Sequence, residues 1–251
     1  MKYPDLKLPY FPPFLVFVGA MILWESTVRL LGIPQYVLPA PSAVVTTVIT
    51  ARSTLLINLR TTFLESFLGF LLGSFVGLGL GIVLAESRLA ARAFLPYIVG
   101  SNAVPVVAVA PIVVLWFGYG LLSKVVVSAF LCFFPLCINT YRGLSEAETT
   151  LKELFAVYGS TRWQFLVKGR FPNAAPFLFS GARLNATYAV IGAIVAEFIG
   201  SNSGLGFGML HASYNLDVPR LWGYIGVAVV MGMAFYGVVW GAEYWHRSKR
   251  G

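Results

Sequence analysis

Long runs of apolar residues, separated by short polar segments, dominate the chain. Three of these runs, residues 66–85, 125–141 and 221–242, contain no charged residue. An α-helix needs roughly 17–25 predominantly apolar residues to cross the hydrocarbon core of a bilayer. The pattern therefore predicts helices that span a membrane rather than the core of a soluble domain.

Less regular stretches bring the predicted number of spans to six, the additional ones being residues 14–33, 94–117 and 176–200. The first carries Glu25 and Arg29, one helical turn apart, near its far end. A weak amphipathic helix is expected from about Ser42, after a proline-rich piece. The last stretch contains Arg183 and Glu197, which lie too far apart along one helix to pair with each other. Each is therefore expected near one end of its span.

The composition supports a membrane protein. The 251 residues are 58% hydrophobic and 11% charged, with a mean hydropathy of +0.78, whereas about a quarter of the residues in a soluble domain are charged. Such hydrophobicity also excludes intrinsic disorder. Cys132 and Cys137 lie in one apolar run, which indicates packing residues and argues against a disulfide framework or a metal site.

The basic residues indicate an orientation in the membrane. With the N-terminus inside, twelve Lys and Arg residues fall on the inner segments and five on the outer side, so the positive-inside rule predicts that both termini are cytoplasmic. The net charge of +8 thus indicates orientation and not nucleic-acid binding. Lys2 and Lys7 resemble the start of a signal peptide, but no convincing cleavage site follows, so a retained first helix is expected.

The inner connection at residues 143–175 is unusually long and is predicted to form two small helices. The first would begin at a capping box, with Ser145 as N-cap and Glu148 at the third position, and would end at Gly159. A second capping box at residues 161–164 would open the next helix, which Pro172 would end. From the residues alone, this segment either lies on lipid headgroups or forms a docking platform for a cytosolic partner.

Several residues of this connection carry a family resemblance. Glu153, Gly159 and Phe171-Pro172 have the spacing of the cytoplasmic signature of permease subunits in ATP-binding-cassette (ABC) importers, which reads Glu-Ala-Ala, three residues, Gly, nine residues, Ile-x-Leu-Pro. Leu154 and Phe155 replace the two alanines, and Gly169 replaces the isoleucine.

Further motifs resemble the nitrate, sulfonate and taurine branch of that family. They are Leu38-Pro-Ala-Pro-Ser42, Gly159-Ser-Thr-Arg-Trp-Gln164, Pro172-Asn-Ala-Ala-Pro176, Gly181-Ala-Arg183, Ala196-Glu-Phe198 and Gly204-Leu-Gly206. The resemblance covers roughly residues 20–245. It implies an all-α, polytopic membrane protein with the type I ABC importer permease fold.

The expected domain organisation has three parts. Residues 1–54 would form an N-terminal segment with the first transmembrane helix and a linker. Residues 55–245 would form the importer transmembrane domain, with the coupling loop at 143–175, and residues 246–251 a cytoplasmic tail.

The resemblance also implies partners. The chain is expected to couple to a separate cytosolic ATPase through Glu153, Gly159, Arg162 and Pro172. An extracytoplasmic binding protein and a second permease copy, as a homodimer, would complete the importer in the cytoplasmic membrane. The chain has no Gly-Lys-Ser/Thr phosphate loop, so ATP is expected on the partner and no cofactor in this chain. Lipid, and not nucleic acid, is the remaining expected partner.

Other residues are candidates for the pathway or its gate. Asn102, Pro105 and Pro111 lie in the third span, where the prolines should kink the helix, although proline is also common in membrane helices. Glu197 is interpreted as a structural anchor or, less favoured, a substrate ligand. The outer Gly204 and Gly206 are further gate candidates.

Glycines recur every four residues in the second span, at Gly69, Gly73, Gly77 and Gly81. Small residues at this spacing allow close helix packing in lipid. The stripe is interpreted as packing within the chain, with a dimer seam as the alternative.

The favoured function is that of an importer permease for a small solute, such as nitrate, a sulfonate, taurine, or a pyrimidine or vitamin-like compound. A stand-alone secondary transporter or channel is the alternative, but it usually keeps ionisable groups near the membrane midplane. An enzyme is not expected, because the sequence contains no catalytic constellation such as Ser-His-Asp or HExxH.

Overall fold

The computed structural model describes residues 11–146 and 149–249, which form helices joined by short turns and contain no strand. In chain order the helices are α1 (Phe11–Leu30), α2 (Pro41–Thr50), α3 (Arg52–Glu86), α4 (Arg88–Ser101), α5 (Val106–Phe117), α6 (Leu121–Ser145), α7 (Thr149–Val157), α8 (Arg162–Phe165), α9 (Phe171–Gly200), α10 (Leu205–Tyr214) and α11 (Val218–Ser248). A π-helical turn, Leu166–Arg170, joins α8 to α9.

Within the described residues, five helical segments are long and apolar enough to cross a membrane: Pro13–Leu30, Arg52–Glu86, Leu121–Ser145, Arg162–Gly200 and Val218–Ser248. They confirm five of the six predicted spans. The sixth, at residues 94–117, is a bent pair, because α4 and α5 meet at 99°.

Proline explains the position of this bend. Pro105 disfavours a helical conformation at Val104 and lacks an N–H, so α4 ends before it and α5 begins after it. At Pro111 the helix is not interrupted, since α5 continues through that residue, and the kink expected there stays a prediction. Pro111 lies in the second turn of α5. Its missing N–H therefore leaves one carbonyl of the first turn without an intrahelical hydrogen bond.

Helices α3, α6 and α9 form the centre of the molecule, and the glycine stripe of α3 lies against α6. A Cβ atom added at Gly77 would lie 2.5 Å from the carbonyl oxygen of Phe133, and one added at Gly81 would lie 2.6 Å from Thr140 Cβ. From α9, a Cβ at Gly192 would lie 2.6 Å from Ser128 Cα. The stripe therefore packs within the chain, as predicted.

The polar end of α1 is tied to the start of α2. Arg29 Nε donates to Glu25 Oε1 over 2.5 Å, and Glu25 Oε2 accepts the backbone N–H of Ser42 at 3.0 Å. Ala40, the N-cap residue of α2, offers no side-chain cap. Glu25 therefore caps α2 from a neighbouring helix, which gives the ionisable pair of the first span a structural role.

The connection between α6 and α9 differs from its prediction at both ends. Ser145 is the last residue of α6 and not an N-cap, while Glu148 lies outside the described residues. The helix that opens at Thr161 does not end at Pro172, because α8 passes through the π turn into α9. Pro172 follows the π turn directly, where the N–H of Phe171 donates to the carbonyl oxygen of Leu166 and the α-helical hydrogen-bond pattern is already interrupted.

Contacts define two ends of the bundle. Arg170 contacts Glu86, the last residue of α3, so the C-terminal ends of α3 and α6 meet the start of α9 at what we call the loop end. The N-terminal part of α3 contacts α10 at the opposite end.

Candidate functional site

The first candidate site is the elbow, defined as α7, the turn at Gly159 and α8 (residues 149–165). Gly159 has a φ of +63°, a conformation that favours glycine, and it ends α7 as predicted. The second capping box is also confirmed: Thr161 N donates to Gln164 Oε1 (2.9 Å), and Gln164 N donates to Thr161 Oγ1 (3.2 Å). The backbone conformation at Gly159 and these local hydrogen bonds thus fix the change of direction at the elbow.

The elbow presents a mixed apolar and charged surface. Val157 and Tyr158 are 84% and 81% exposed, and Glu153 and Arg162 are exposed beside them. The structure therefore places three of the predicted coupling residues, Glu153, Gly159 and Arg162, on one exposed segment. Pro172 is partly buried beyond the π turn and is not part of this surface.

The interior of the elbow explains two departures from the family signature. The rings of Phe155 and Phe165 pack with centroids 5.3 Å apart. A Cβ added at Gly169 would lie 3.1 Å from the Phe165 ring and 3.2 Å from the Phe155 ring. A large residue in an alanine position is therefore accommodated by a glycine in the isoleucine position, so the two exchanges compensate each other.

The second candidate site is a buried polar cluster at the opposite end, formed by Asn58, Thr62, Glu65, Lys124, Glu197 and the backbone of residues 204–206. Gly204 N donates to Asn58 Oδ1 (3.0 Å), and Leu205 N donates to Thr62 Oγ1 (2.7 Å). Gly206 N donates to Glu197 Oε2. The N-terminus of α10 is thus held by side chains of α3 and α9.

Glu197 is the centre of this cluster and is 1% exposed. Its Oε1 accepts a hydrogen bond from Thr62 Oγ1 at 2.6 Å. A carboxylate at a helix N-terminus is favoured by the helix dipole. A Cβ added at Gly206 would lie 2.8 Å from Glu197 Oε2, so glycine permits this close approach. The structure brings together Glu197, Gly204 and Gly206, which the sequence suggested separately.

Two ionisable members of the cluster were missed by the sequence analysis. Glu65 is 3% exposed and contacts Glu197, although the second span was predicted to begin only at residue 66. Lys124 was counted as an outer loop residue, but it is 1% exposed and donates to the carbonyl oxygen of Tyr119. The spacing of Asn58, Thr62 and Glu65 on one helical face, in line with the glycine stripe, was a usable signal.

The remaining candidates lie elsewhere. Asn102 and Pro105 are exposed at the α4–α5 bend, and Pro111 is exposed on α5. The hydrogen bonds of the polar cluster involve none of the three. Arg183 pairs with Glu243 of α11 at 3.2 Å, which agrees with the prediction that it does not pair with Glu197.

The chain matches a known sequence family over most of its spans. The family is described as the binding-protein-dependent transport system inner membrane component, and the match covers residues 77–242. This range includes the elbow, together with Lys124, Glu197 and α10 of the polar cluster.

Named relatives extend the similarity towards both termini. The formylaminopyrimidine transport permease protein ThiX of Halalkalibacterium halodurans is 34% identical over 228 residues, covering 90% of this chain and 91% of the relative. The riboflavin transport system permease protein RibX of Chloroflexus aurantiacus is 34% identical over 237 residues, covering 94% and 87%.

A putative aliphatic sulfonates transport permease protein, SsuC of Bacillus subtilis, is 34% identical over 129 residues, which are 51% of this chain and 47% of the relative. With five spanning segments, a further bent pair and similarity to permeases over nearly its whole length, this chain belongs to the inner-membrane permease subunits of binding-protein-dependent ABC importers.

Proposed function

We propose that two copies of this chain form the translocation pathway of an importer, and that a separate cytosolic ATPase docks on the elbow of each copy. The exposed surface of the elbow carries this proposal, since Val157 and Tyr158 project apolar area beside the charges of Glu153 and Arg162. Helix α8 continues through the π turn into the membrane-spanning helix α9. A displacement of the elbow by the ATPase would therefore be transmitted directly to α9.

The ATPase supplies the nucleotide chemistry in this proposal. The chain has no Gly-Lys-Ser/Thr phosphate loop, so ATP binds to the partner and the permease itself catalyses no reaction. An extracytoplasmic binding protein delivers the solute at the opposite end, where the polar cluster fixes α10.

A pyrimidine or vitamin-like compound is the solute class that we favour. The two relatives described above that cover about nine-tenths of this chain are named for formylaminopyrimidine and riboflavin transport. The sulfonate permease of Bacillus subtilis matches only about half of it.

The orientation that fits this function places the loop end and both termini in the cytoplasm. The excess of basic residues on the inner segments supports it. Residues 55–245 then form the importer domain, between an N-terminal segment and a short cytoplasmic tail.

Charge inversion and backbone strain on the elbow test the docking proposal. We expect Glu153→Lys and Gly159→Val to reach normal membrane abundance but to lose the ATPase on purification, together with solute uptake. An added side chain at Gly159 meets no atom within 4 Å, so the expected strain of about 1–2 kcal/mol comes from the positive φ alone.

Matched controls separate docking from folding. Glu146→Lys inverts an exposed charge on the same connection, outside the elbow. Gly32→Val strains a glycine with a φ of +60° and equally open surroundings after α1, outside the elbow. Both controls should retain the ATPase. If Glu153→Lys and Gly159→Val also retain it and transport normally, the elbow is not the docking site.

A further inference from the structure

Arg170, the last residue of the π turn, joins three helices at the loop end. Its Nε donates to the carbonyl oxygen of Leu144 in α6 at 2.7 Å, and its Nη2 donates to the carbonyl oxygen of Ala85 in α3 at 3.3 Å. Its Nη1 forms an ion pair with Glu86. The side chain is 13% exposed, so these bonds are largely shielded from water.

The carbonyl groups that Arg170 contacts lie in the last turns of α3 and α6. Carbonyls at these positions have no partner within their own helix, and a cation is favoured at the negative end of a helix dipole. One guanidinium thus satisfies a terminal carbonyl in each of two helices. Its planar arrangement of donors makes this possible, whereas a lysine ammonium has no such fork.

Arg170 is the last residue of the π turn. This turn contains one residue more than an α-helical turn, so the residues after it are rotated by about 100° from the positions that an uninterrupted α-helix would give them. On this continuous helix Arg162 is exposed, whereas Arg170 faces the ends of α3 and α6. The turn is held in place by Leu166, which packs in a buried cluster with Leu144 and Ala174.

The chain connectivity gives this contact a particular consequence. Helices α6 and α9 flank the elbow in sequence, so a displacement of the elbow reaches them through the chain itself. Helix α3 ends at Glu86 and is not adjacent to the elbow in sequence. It contacts this region through the apolar side chains of Ile82 and Ala85 and through two donors of Arg170, Nη1 to Glu86 and Nη2 to the carbonyl oxygen of Ala85.

We propose that Arg170 is a positioning residue for energy coupling, which transmits displacement of the elbow to the ends of α3 and α6. The proposal rests on the proposed docking of the ATPase at the elbow. Arg170 itself contacts neither solute nor nucleotide in this account. Its role is to make α3, α6 and the start of α9 move together.

The test uses the complete importer, with its ATPase and binding protein, reconstituted in lipid vesicles. Arg170→Gln should retain the ATPase but lower solute uptake at least roughly tenfold, because two or three charge-assisted hydrogen bonds are lost. ATP hydrolysis should no longer respond to the loaded binding protein, so the solute transported per ATP hydrolysed falls. This ratio is a readout that a purely structural role would not change.

Neighbouring variants serve as controls. Lys168→Gln removes an exposed positive charge from the same π turn and should behave as wild type. Arg170→Lys keeps the positive charge but loses the planar set of donors of the guanidinium. Its ratio of solute transported to ATP hydrolysed should lie between those of wild type and Arg170→Gln. Glu86→Gln should have a small effect, because the Glu86 side chain is 41% exposed and both carbonyl contacts of Arg170 remain.

The outcomes separate this proposal from the docking proposal. A wild-type ratio for Arg170→Gln, with Glu153→Lys losing the ATPase, overturns the role of Arg170 alone. Retention of the ATPase and normal transport by both Glu153→Lys and Gly159→Val overturn docking at the elbow. If Arg170→Gln fails to accumulate in the membrane, Arg170→Lys decides: a lowered ratio supports the proposal. A wild-type ratio, or failure of both variants to accumulate, contradicts it.

Discussion

The N-cap residue of helix α10 is Gly204, which has no side chain to cap the helix. The first backbone donors are bound instead by Asn58, Thr62 and Glu197. These side chains belong to two other helices, so the start of α10 cannot shift without breaking bonds to both. In lipid, an unsatisfied backbone donor is expensive. The cluster therefore fixes the segment between α9 and α10 firmly in this conformation.

Truncation of Glu197 should be among the most damaging single changes in the chain. Glu197→Ala would leave Gly206 N without its acceptor and Thr62 Oγ1 with only the carbonyl oxygen of Asn58, at an expected cost of about 3–5 kcal/mol for breaking a buried charged network. Glu197→Gln keeps the shape and one acceptor and should be milder. Thermal unfolding of the purified protein in detergent measures both.

The matched controls are Glu146→Ala and Glu146→Gln, which make the same two changes at an exposed carboxylate and should leave the melting temperature unchanged. A melting temperature of Glu197→Ala equal to wild type would show that the cluster does not hold α10.

At the scale of the elements, close packing of α3 on α6 organises the bundle. The glycine stripe allows the two backbones to approach, and on the same face of α3 the polar side chains of Asn58 and Thr62 contact α10. Apolar attraction between helices is weak in lipid, so shape complementarity carries much of the association.

Gly77→Val should disrupt this packing, because the added Cβ would lie 2.5 Å from the Phe133 carbonyl oxygen. Overpacking of this kind destabilises by about 1–3 kcal/mol or more, and membrane abundance should fall. Gly79→Val is the control, since Gly79 has no atom within 4 Å of the added position. Equal abundance of the two variants would contradict the packing role of the stripe.

The sequence was sufficient for elements with a strong local signal. The spans, the glycine stripe, the turn at Gly159 and the capping box at Thr161 follow from hydrophobic runs, spacing and backbone preference, all of which act over a few residues. The sequence predicts a bend at Pro105 but not its angle. That angle depends on the helices against which α4 and α5 pack.

The errors concern contacts that join distant parts of the chain. Lys124 has the local pattern of a loop residue, and only the folded bundle shows that it is buried near Glu65 and Glu197. Continuation of the helix through Pro172 depends on the π turn before it, which no hydrophobic period indicates. The role of Arg170 likewise requires the ends of α3 and α6 to be known.

On the scale of the whole molecule, the two candidate sites lie at opposite ends of the same central helices. Helix α9 begins beside Arg170 and ends near Glu197, while α3 runs the other way between the same two regions. A displacement at the elbow thus has a continuous path to the segment that holds α10. This arrangement suits a permease that is powered from one side and loaded from the other.

The central claim is that this chain transports solute only when a separate ATPase drives it. The most direct measurement reconstitutes the purified chain in lipid vesicles, alone and with its ATPase and binding protein, and follows ATP hydrolysis and solute accumulation. We expect neither activity from the chain alone, and ATP-dependent accumulation from the complete importer. Hydrolysis by the chain alone, or accumulation driven by an ion gradient without the ATPase, would contradict the account.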